Sequence, residues 1–183
     1  MKQSNYITAF ILCWIIFLPQ VKAQDIYRTQ NGDMLITVVS NDSILKITNK
    51  ELFIQLSYET ARFTIKMDKS NFKTGIDSLD KRLSKLKYEI IEFKGKLGIQ
   101  NINTNGHPPL DFKVEGIIST NQKTIFGDGH LEHISSRGLY SCLLTLKFNL
   151  KINDLGLNFE GLNLKEDIQI DVVQAVLNKS EDD

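Results

Sequence analysis

Three histidines are the first residues of this 183-residue sequence whose side chains could do chemistry. His130 and His133 lie three positions apart, whereas two metal ligands on one face need a spacing of four in a helix or two in a strand. In a strand, a spacing of three directs the two rings to opposite faces. His107 stands in a loop beside Pro108, with no evident partner. The spacing therefore predicts no metal site, and none of the three is assigned a catalytic role.

The other reactive groups also lack the spacing that catalysis or cofactor binding requires. Gly127-Asp128-Gly129 is a turn signal, because no helix pattern follows it to make a phosphate cradle. Asp167 and Asp171 alternate with apolar residues, which is typical of the outer face of a strand. Cys142 lies in an apolar strand pattern and is predicted to be a buried, inert thiol. No nucleophile elbow or nucleotide-binding glycine motif occurs, so we expect no enzyme and no cofactor.

The first 23 residues have the pattern of a secretory signal. Lys2 supplies a positive charge, residues 7–18 form an apolar run of 12, and Val21-Lys22-Ala23 offers a cleavage site after Ala23. A membrane span would need roughly 20 apolar residues. We therefore expect residues 1–23 to be removed, no transmembrane segment to remain, and the protein to be periplasmic or secreted.

The chain after this signal has the size and charge of one ordinary domain. Residues 24–177 are predicted to form the domain, and residues 178–183 a charged C-terminal tail. Removing Lys2 and Lys22 leaves 20 basic and 22 acidic residues, so the net charge is −2. Nucleic-acid binding needs a basic field, and this charge argues against it. The sequence does not indicate the oligomeric state.

The elements that would position any site are mostly strands. Apolar and polar residues alternate in about eight segments, of which residues 140–152 are the clearest, with turns predicted at Asn31-Gly32, Asn41-Asp42 and residues 48–50. Residues 78–87 place three leucines at helical spacing, which predicts one short amphipathic helix capped by Asp77. An antiparallel barrel hides the apolar face of such a sheet and removes its edges. A two-sheet sandwich is the alternative.

Three stretches of the chain resemble the YceI-like proteins, in the divergent form common among exported proteins of Bacteroidetes-type bacteria. Residues 61–96 contain a strand, a helix and a Tyr88-containing approach to the strand that begins Phe93-Lys94-Gly95. Residues 114–118 resemble the V-x-G-x-L strand of the family. Residues 146–177 resemble its closing strand pair, the first of which ends in Asp-x-Gly. The chain departs from the family at residues 120–123, where the family often has His-Gly-x-Thr, and at residues 83–88.

The resemblance implies an all-β, antiparallel eight-stranded lipocalin-like barrel with one short helix. It also implies that an amphiphilic lipid or isoprenoid binds in the central cavity, outside the cytoplasm, and it offers no catalytic residues to carry over. The inward face of the barrel is then the candidate ligand-binding surface. By alternation, its candidate residues are Phe63, Ile65, Phe93, Leu97, Phe112, Val114, Leu144, Leu146, Phe148, Ile170 and Val172.

Two alternatives remain open from the residues themselves. The rings of Phe63, Phe93, Phe112 and Phe148 could fill the interior, leaving a structural or interaction module that acts through loops such as residues 100–109. A hydrolase or isomerase working in the cavity would instead need a buried polar group on the inward face, and the alternation supplies no good candidate.

Overall fold

The computed structural model describes residues 25–40, 44–103, 107–136, 139–157, 159, 162 and 164–180. Each strand pairs antiparallel with the next, and β1 also pairs with β8, so the sheet closes on itself. The predicted eight-stranded barrel is confirmed, and the sandwich is excluded. The strands are β1 Ile26–Ser40, β2 Ile44–Ser57, β3 Arg62–Asp68, β4 Ile90–Leu97, β5 Leu110–Ile118, β6 Thr124–Ser136, β7 Leu139–Lys151 and β8 Leu164–Lys179.

The barrel has two different ends. At one, which we call the helix end, the chain between β3 and β4 forms a short 3-10 turn, Lys69–Asn71, and the helix α1, Asp77–Leu83. The chain that follows β7 forms a second 3-10 turn, Ile152–Leu155, at the same end. At the other, the histidine end, β6 and β7 extend past their neighbours and carry His133 and Cys142. None of the helices in the described ranges is long and apolar enough to cross a membrane.

Two of the predicted turns are wrong, because both lie inside long strands. Asn31-Gly32 is part of β1 and residues 48–50 are part of β2. The register between these strands shifts on each side of Gly32, which faces Leu52. A bulge uses the same small and polar residue types as a turn, so local composition cannot distinguish the two. The third predicted turn, at residues 41 and 42, lies outside the described residues.

Strand β6 was not predicted, because its glycines were interpreted as a turn. Gly127-Asp128-Gly129 lies within this strand, where Gly129 pairs with Phe112 and Gly127 with Phe148. A Cβ atom added to Gly129 would lie 2.1 Å from Phe112 Cε2, and one added to Gly127 would lie 2.4 Å from Phe148 Cδ1. The glycines are therefore needed because aromatic rings of the neighbouring strands occupy the space of their missing side chains.

The predicted helix exists but is shorter than the leucine pattern indicated. It begins at Asp77, so Ile76 is the N-cap residue and the expected capping role of Asp77 is wrong. Leu79 and Leu83 are buried, and Leu86 lies beyond the helix end. The Asp80 carboxylate instead accepts hydrogen bonds of 2.7 Å from both the backbone N–H and the hydroxyl of Thr74, which fixes the helix to the preceding chain.

The last two strands carry the longest apolar faces. Strand β7 matches the expected alternation to within one residue at each end and buries Cys142, Leu144, Leu146, Phe148 and Leu150. Strand β8 continues through Asn178 and Lys179, two residues beyond the predicted domain boundary at 177.

Candidate ligand cavity

All eleven residues of the predicted inward face lie in the barrel interior, each at most 8% exposed. Five of them, Ile65, Phe93, Phe148, Ile170 and Val172, also line an internal cavity near the helix end. The other six, Phe63, Leu97, Phe112, Val114, Leu144 and Leu146, are packed elsewhere in the same core. The alternation therefore gave the correct face, while contact of these side chains with a ligand remains a prediction.

The cavity is small and wholly apolar. Its volume is about 30 Å³, which is room for a few water-sized molecules at most. The remaining lining residues, which the sequence did not single out, are Met34, Met67, Ile118, Ile125 and Leu155. Two of them are methionines, whose unbranched side chains adopt new rotamers more readily than branched ones.

Aromatic rings fill much of the space around the cavity. The Phe93 ring makes edge-to-face contacts with Phe63, at 5.4 Å between centroids, and with Phe148, at 5.0 Å. The Phe63 ring lies over Gly95, where an added Cβ would be 2.6 Å from Phe63 Cζ. Apart from the cavity, the interior is therefore close-packed, which agrees with the alternative that aromatic rings fill the core.

Residues 152–157, which we call the closing segment, cross the helix end of the barrel. Leu155 of this segment is 1% exposed and its side chain lines the cavity. The preceding residue, Asp154, fastens the segment to the β5–β6 turn: its carboxylate accepts from Lys123 Nζ at 2.7 Å and from Asn121 Nδ2 at 2.8 Å. The Thr120 hydroxyl donates to the Asp154 carbonyl. The closing segment is thus held in place by a buried carboxylate.

Asp154 is held in its ionised form. Burial alone would raise the pKa of its carboxyl, but the hydrogen bonds from Lys123, the Lys151 backbone N–H and Asn121 outweigh burial and lower the pKa below its ordinary value. The two halves of this contact are separate in the sequence, where they are the Asp-x-Gly strand end and the departure from the family pattern at residues 120–123. Only the fold brings them together.

A polar cluster closes the histidine end. The Tyr58 hydroxyl lies 2.8 Å from His133 Nε2, and the rings of His133 and His107 are in contact at a tilt of 46°, with centroids 4.2 Å apart. The Tyr27 ring stacks on the Tyr58 ring, with centroids 4.0 Å apart. His107 therefore has a partner, although its position in a loop beside Pro108 indicated none. The inward-facing side of the barrel also has buried polar groups there, which alternation did not reveal.

Burial dominates the titration of this cluster. It lowers the pKa of His133, with a further contribution from neighbouring His107, so the imidazole is neutral near pH 7. It raises the pKa of the Tyr58 hydroxyl and of the Cys142 thiol, the latter to about 12. The prediction that Cys142 is buried is confirmed, and its burial and raised pKa favour the expected unreactive thiol.

His130 lies on the opposite side of the sheet from His133, as the spacing of three predicted. Its ring contacts Asp111 at 2.6 Å and Glu132 at 2.8 Å on the outer surface, and these two hydrogen bonds raise its pKa. Within the part of the chain that the structure describes, no three or more His, Cys, Asp or Glu side chains are grouped to hold a metal.

The two aspartates of β8 lie on the outer wall of the barrel. Asp167 is exposed, and the Asp171 carboxylate accepts from Gln169 Nε2 at 2.8 Å. They do not form a carboxylate pair, in agreement with the expected outer strand face.

Comparison with known proteins gives matches at the level of structure. No family model matches the chain, and no curated protein matches its sequence. A polyisoprenoid-binding domain from Saccharophagus degradans, implicated in plant cell wall breakdown, superimposes with a TM-score of 0.65 at 11% identity. The match covers 87% of this chain and 100% of that domain. BcnA of Burkholderia cenocepacia superimposes with a TM-score of 0.50 at 12% identity, over 80% and 96% of the two chains. The YceI-like resemblance read from three sequence stretches is therefore confirmed as a YceI-like barrel fold.

Proposed function

We propose that this barrel binds a long apolar molecule, an isoprenoid or another lipid chain, in its interior, without catalysis. The observation that carries the proposal is the apolar cavity around Met67, Phe93 and Phe148, enclosed by a sheet with no free edge. A cavity without polar lining favours hydrocarbon over water. The likeness of the fold to a polyisoprenoid-binding domain supports the same ligand class.

Binding must enlarge the cavity, because about 30 Å³ holds only a small part of a hydrocarbon chain. The side chains most able to give way are Met34 and Met67, which can change rotamer, and Leu155, which sits on the closing segment rather than on a strand. A groove of about 480 Å³ with a mixed polar and apolar lining runs along the closing segment. Its polar residues include Asn153 and Glu166, and its apolar residues are Ile152, Leu157, Phe159, Leu162 and Leu164. Displacement of Leu155 would join this groove to the interior.

We also propose that the protein works in the periplasm or after secretion. The support is the charge, length and cleavage pattern of residues 1–23. A carrier of apolar molecules is useful in an aqueous compartment next to a membrane, where free lipid is insoluble. Amino-terminal sequencing of the protein recovered from a cell fractionation tests this localisation. A chain that retains residue 1 and is found in the cytoplasmic fraction would contradict it.

Extraction of the purified protein with organic solvent, followed by mass spectrometry, tests the ligand. We expect a long-chain lipid in a stoichiometric amount. The position of the bound chain is tested with brominated hydrocarbon chains, which quench tryptophan fluorescence on contact. Trp14 is the only tryptophan of the sequence and precedes the predicted cleavage site.

The reporter variants are a matched pair. Phe93→Trp places the indole beside the cavity, and Phe126→Trp places it on the outer wall, where Phe126 is 67% exposed. We expect quenching of the first and not of the second, with Phe148→Trp as a second interior reporter. Equal quenching of interior and outer reporters would show that the chain binds the surface.

A second function is favoured by the same small volume. If the interior stays packed, the barrel is a structural or interaction module that acts through its loops, with residues 100–109 as the surface to test. Ile102 anchors this loop, because its backbone N–H donates to the Tyr58 carbonyl and its side chain is buried. Recovery of no lipid and no interior quenching, together with loss of partner capture on loop deletion, would support this module over the carrier.

A further inference from the structure

We propose that the helix end docks on an anionic lipid bilayer through residues 69–90, which we call the docking segment. This inference rests on the proposed function and adds its partner, namely the membrane surface from which an apolar ligand is taken or to which it is delivered. The docking segment connects β3 to β4 and includes α1. It lies at the same end of the barrel as the closing segment and the cavity.

The docking segment exposes large apolar side chains. Ile76 is 37% exposed, Ile90 is 49% exposed and Tyr88 is 79% exposed. At the same end of the barrel, Val39 is 39% and Ile44 is 63% exposed. Single exposed apolar residues are common on any protein surface, but five at one end of a barrel make an apolar rim.

The most exposed of these side chains, the Tyr88 ring, is held outward by its own backbone. Tyr88 has a φ of 72°, in the left-handed region that aromatic residues rarely adopt. Its backbone N–H donates to Asp68 Oδ2 at 3.2 Å, which maintains this conformation. Lys87 Nζ lies 5.2 Å from the centroid of the Tyr88 ring. A strained residue that presents an aromatic ring to solvent suits the bilayer interface, where tyrosine places its apolar ring at the headgroup level.

Charge identifies the kind of surface that the segment fits. Residues 69–90 contain six basic and three acidic residues, a net charge of +3 in a sequence whose total is zero. Of the acidic side chains, Glu89 is paired with Lys69 and Asp80 is bonded to Thr74, while Lys73, Lys81, Lys85 and Lys87 are exposed. Lysines beside exposed apolar residues can bury their stems and keep their ammonium groups among anionic headgroups.

Vesicle flotation with the protein purified as the cell exports it tests this inference. The probes are vesicles of phosphatidylglycerol mixed with phosphatidylcholine, and vesicles of phosphatidylcholine alone. We expect binding to the first that weakens as salt is raised, and little binding to the second. Lys85→Glu should weaken partitioning by about tenfold or more at low salt. Tyr88→Asn removes the ring with a residue that tolerates a positive φ, and should also weaken it.

Two control variants lie toward the histidine end. Lys96→Glu makes the same charge change on β4, and Val176→Ser removes an exposed apolar group on β8. Both should partition within about twofold of the natural protein, since a docking face at the helix end leaves them in water. Absence of binding to anionic vesicles, or equal effects of Lys85→Glu and Lys96→Glu, would overturn the inference.

The ligand measurement is independent of the docking measurement. A polyene fatty acid added from free solution, without vesicles, should bind Lys85→Glu as tightly as the natural protein, because Lys85 is exposed outside the barrel interior. A protein that binds anionic vesicles yet contains no lipid keeps the docking face and loses the carrier function. A protein that contains lipid but does not bind the anionic vesicles keeps the carrier function and contradicts the docking face.

Discussion

Replacing Leu155 with alanine tests the idea that the closing segment controls access to the interior. The substitution removes three buried carbon atoms from a side chain that is 1% exposed and lines the cavity. Loss of their burial costs about 2.4 kcal/mol, at about 0.8 kcal/mol per methylene. If the vacated space of roughly 60 Å³ joins the existing cavity without collapse, it adds about 1.5 kcal/mol. We therefore expect the free energy of unfolding to fall by about 4 kcal/mol.

The same change should help a ligand to enter. Leu155 lines the cavity, and its neighbours Gly156 and Leu157 line the groove, so we expect removal of the Leu155 side chain to open a path between the two. Urea unfolding measures the loss of stability, and the fluorescence of a polyene fatty acid measures the rate and affinity of uptake. A ligand at about 100 times its dissociation constant restores about 2.7 kcal/mol of stability, so much of the loss should return with the probe present.

Leu52→Ala is the matched control for this prediction. Leu52 is fully buried on β2 but is not among the residues that line the cavity. It should lose a similar amount of stability, within the range of about 2–5 kcal/mol for such changes, without faster uptake of the probe. If both variants take up the probe at the rate of the natural protein, Leu155 does not control entry. A loss below about 1 kcal/mol in Leu155→Ala would refute the packing assigned to it.

Three further predictions concern particular contacts. Gly129→Ala places a Cβ atom 2.1 Å from Phe112 Cε2 and should lower the free energy of unfolding by about 1–3 kcal/mol or more. In a double-mutant cycle measured by urea unfolding, Phe112→Leu should recover part of this loss. Strict additivity of the two substitutions would contradict the ring contact. Asp154→Asn should cost about 1–3 kcal/mol near pH 7. Because the folded-state pKa of Asp154 is lowered, its contribution to stability is complete above the ordinary value of 3.8 and is lost as the pH falls through the folded pKa. The free energies of unfolding of the natural protein and the variant should therefore converge in acid. A constant difference between them down to pH 2 would contradict this role of the carboxylate. The pKa of His133 is lowered in the folded state by burial and by His107, so the unfolded chain binds more protons as the pH falls below 6.5, and the free energy of unfolding decreases there. The variant His133→Gln can still form a hydrogen bond with Tyr58 and should weaken this pH dependence in urea unfolding at pH 7.5 and 5.5. An unchanged pH dependence would assign the effect to another residue.

Much of the fold and of the inward face could be read from local alternation. Strand β7 shows why: a residue every second position must point into the barrel, so the apolar series that includes Leu144, Leu146 and Phe148 identified both the strand and its buried side. The leucine spacing of α1 identified a helix for the same reason, although its length depended on caps that the pattern does not contain.

The sequence by itself determined which residues alternate, which face is apolar, and that His130 and His133 point to opposite sides. Only the tertiary structure decided that Gly127 and Gly129 belong to a strand, because the reason is the Phe148 and Phe112 rings on neighbouring strands. It also decided the size of the cavity, which depends on how rings from several strands pack together. The contact of Asp154 with Lys123 depends on the same closure, since it joins residues 31 positions apart. Local patterns report one residue's immediate neighbours along the chain, whereas a cavity and its closure are made by side chains that meet only when the barrel closes.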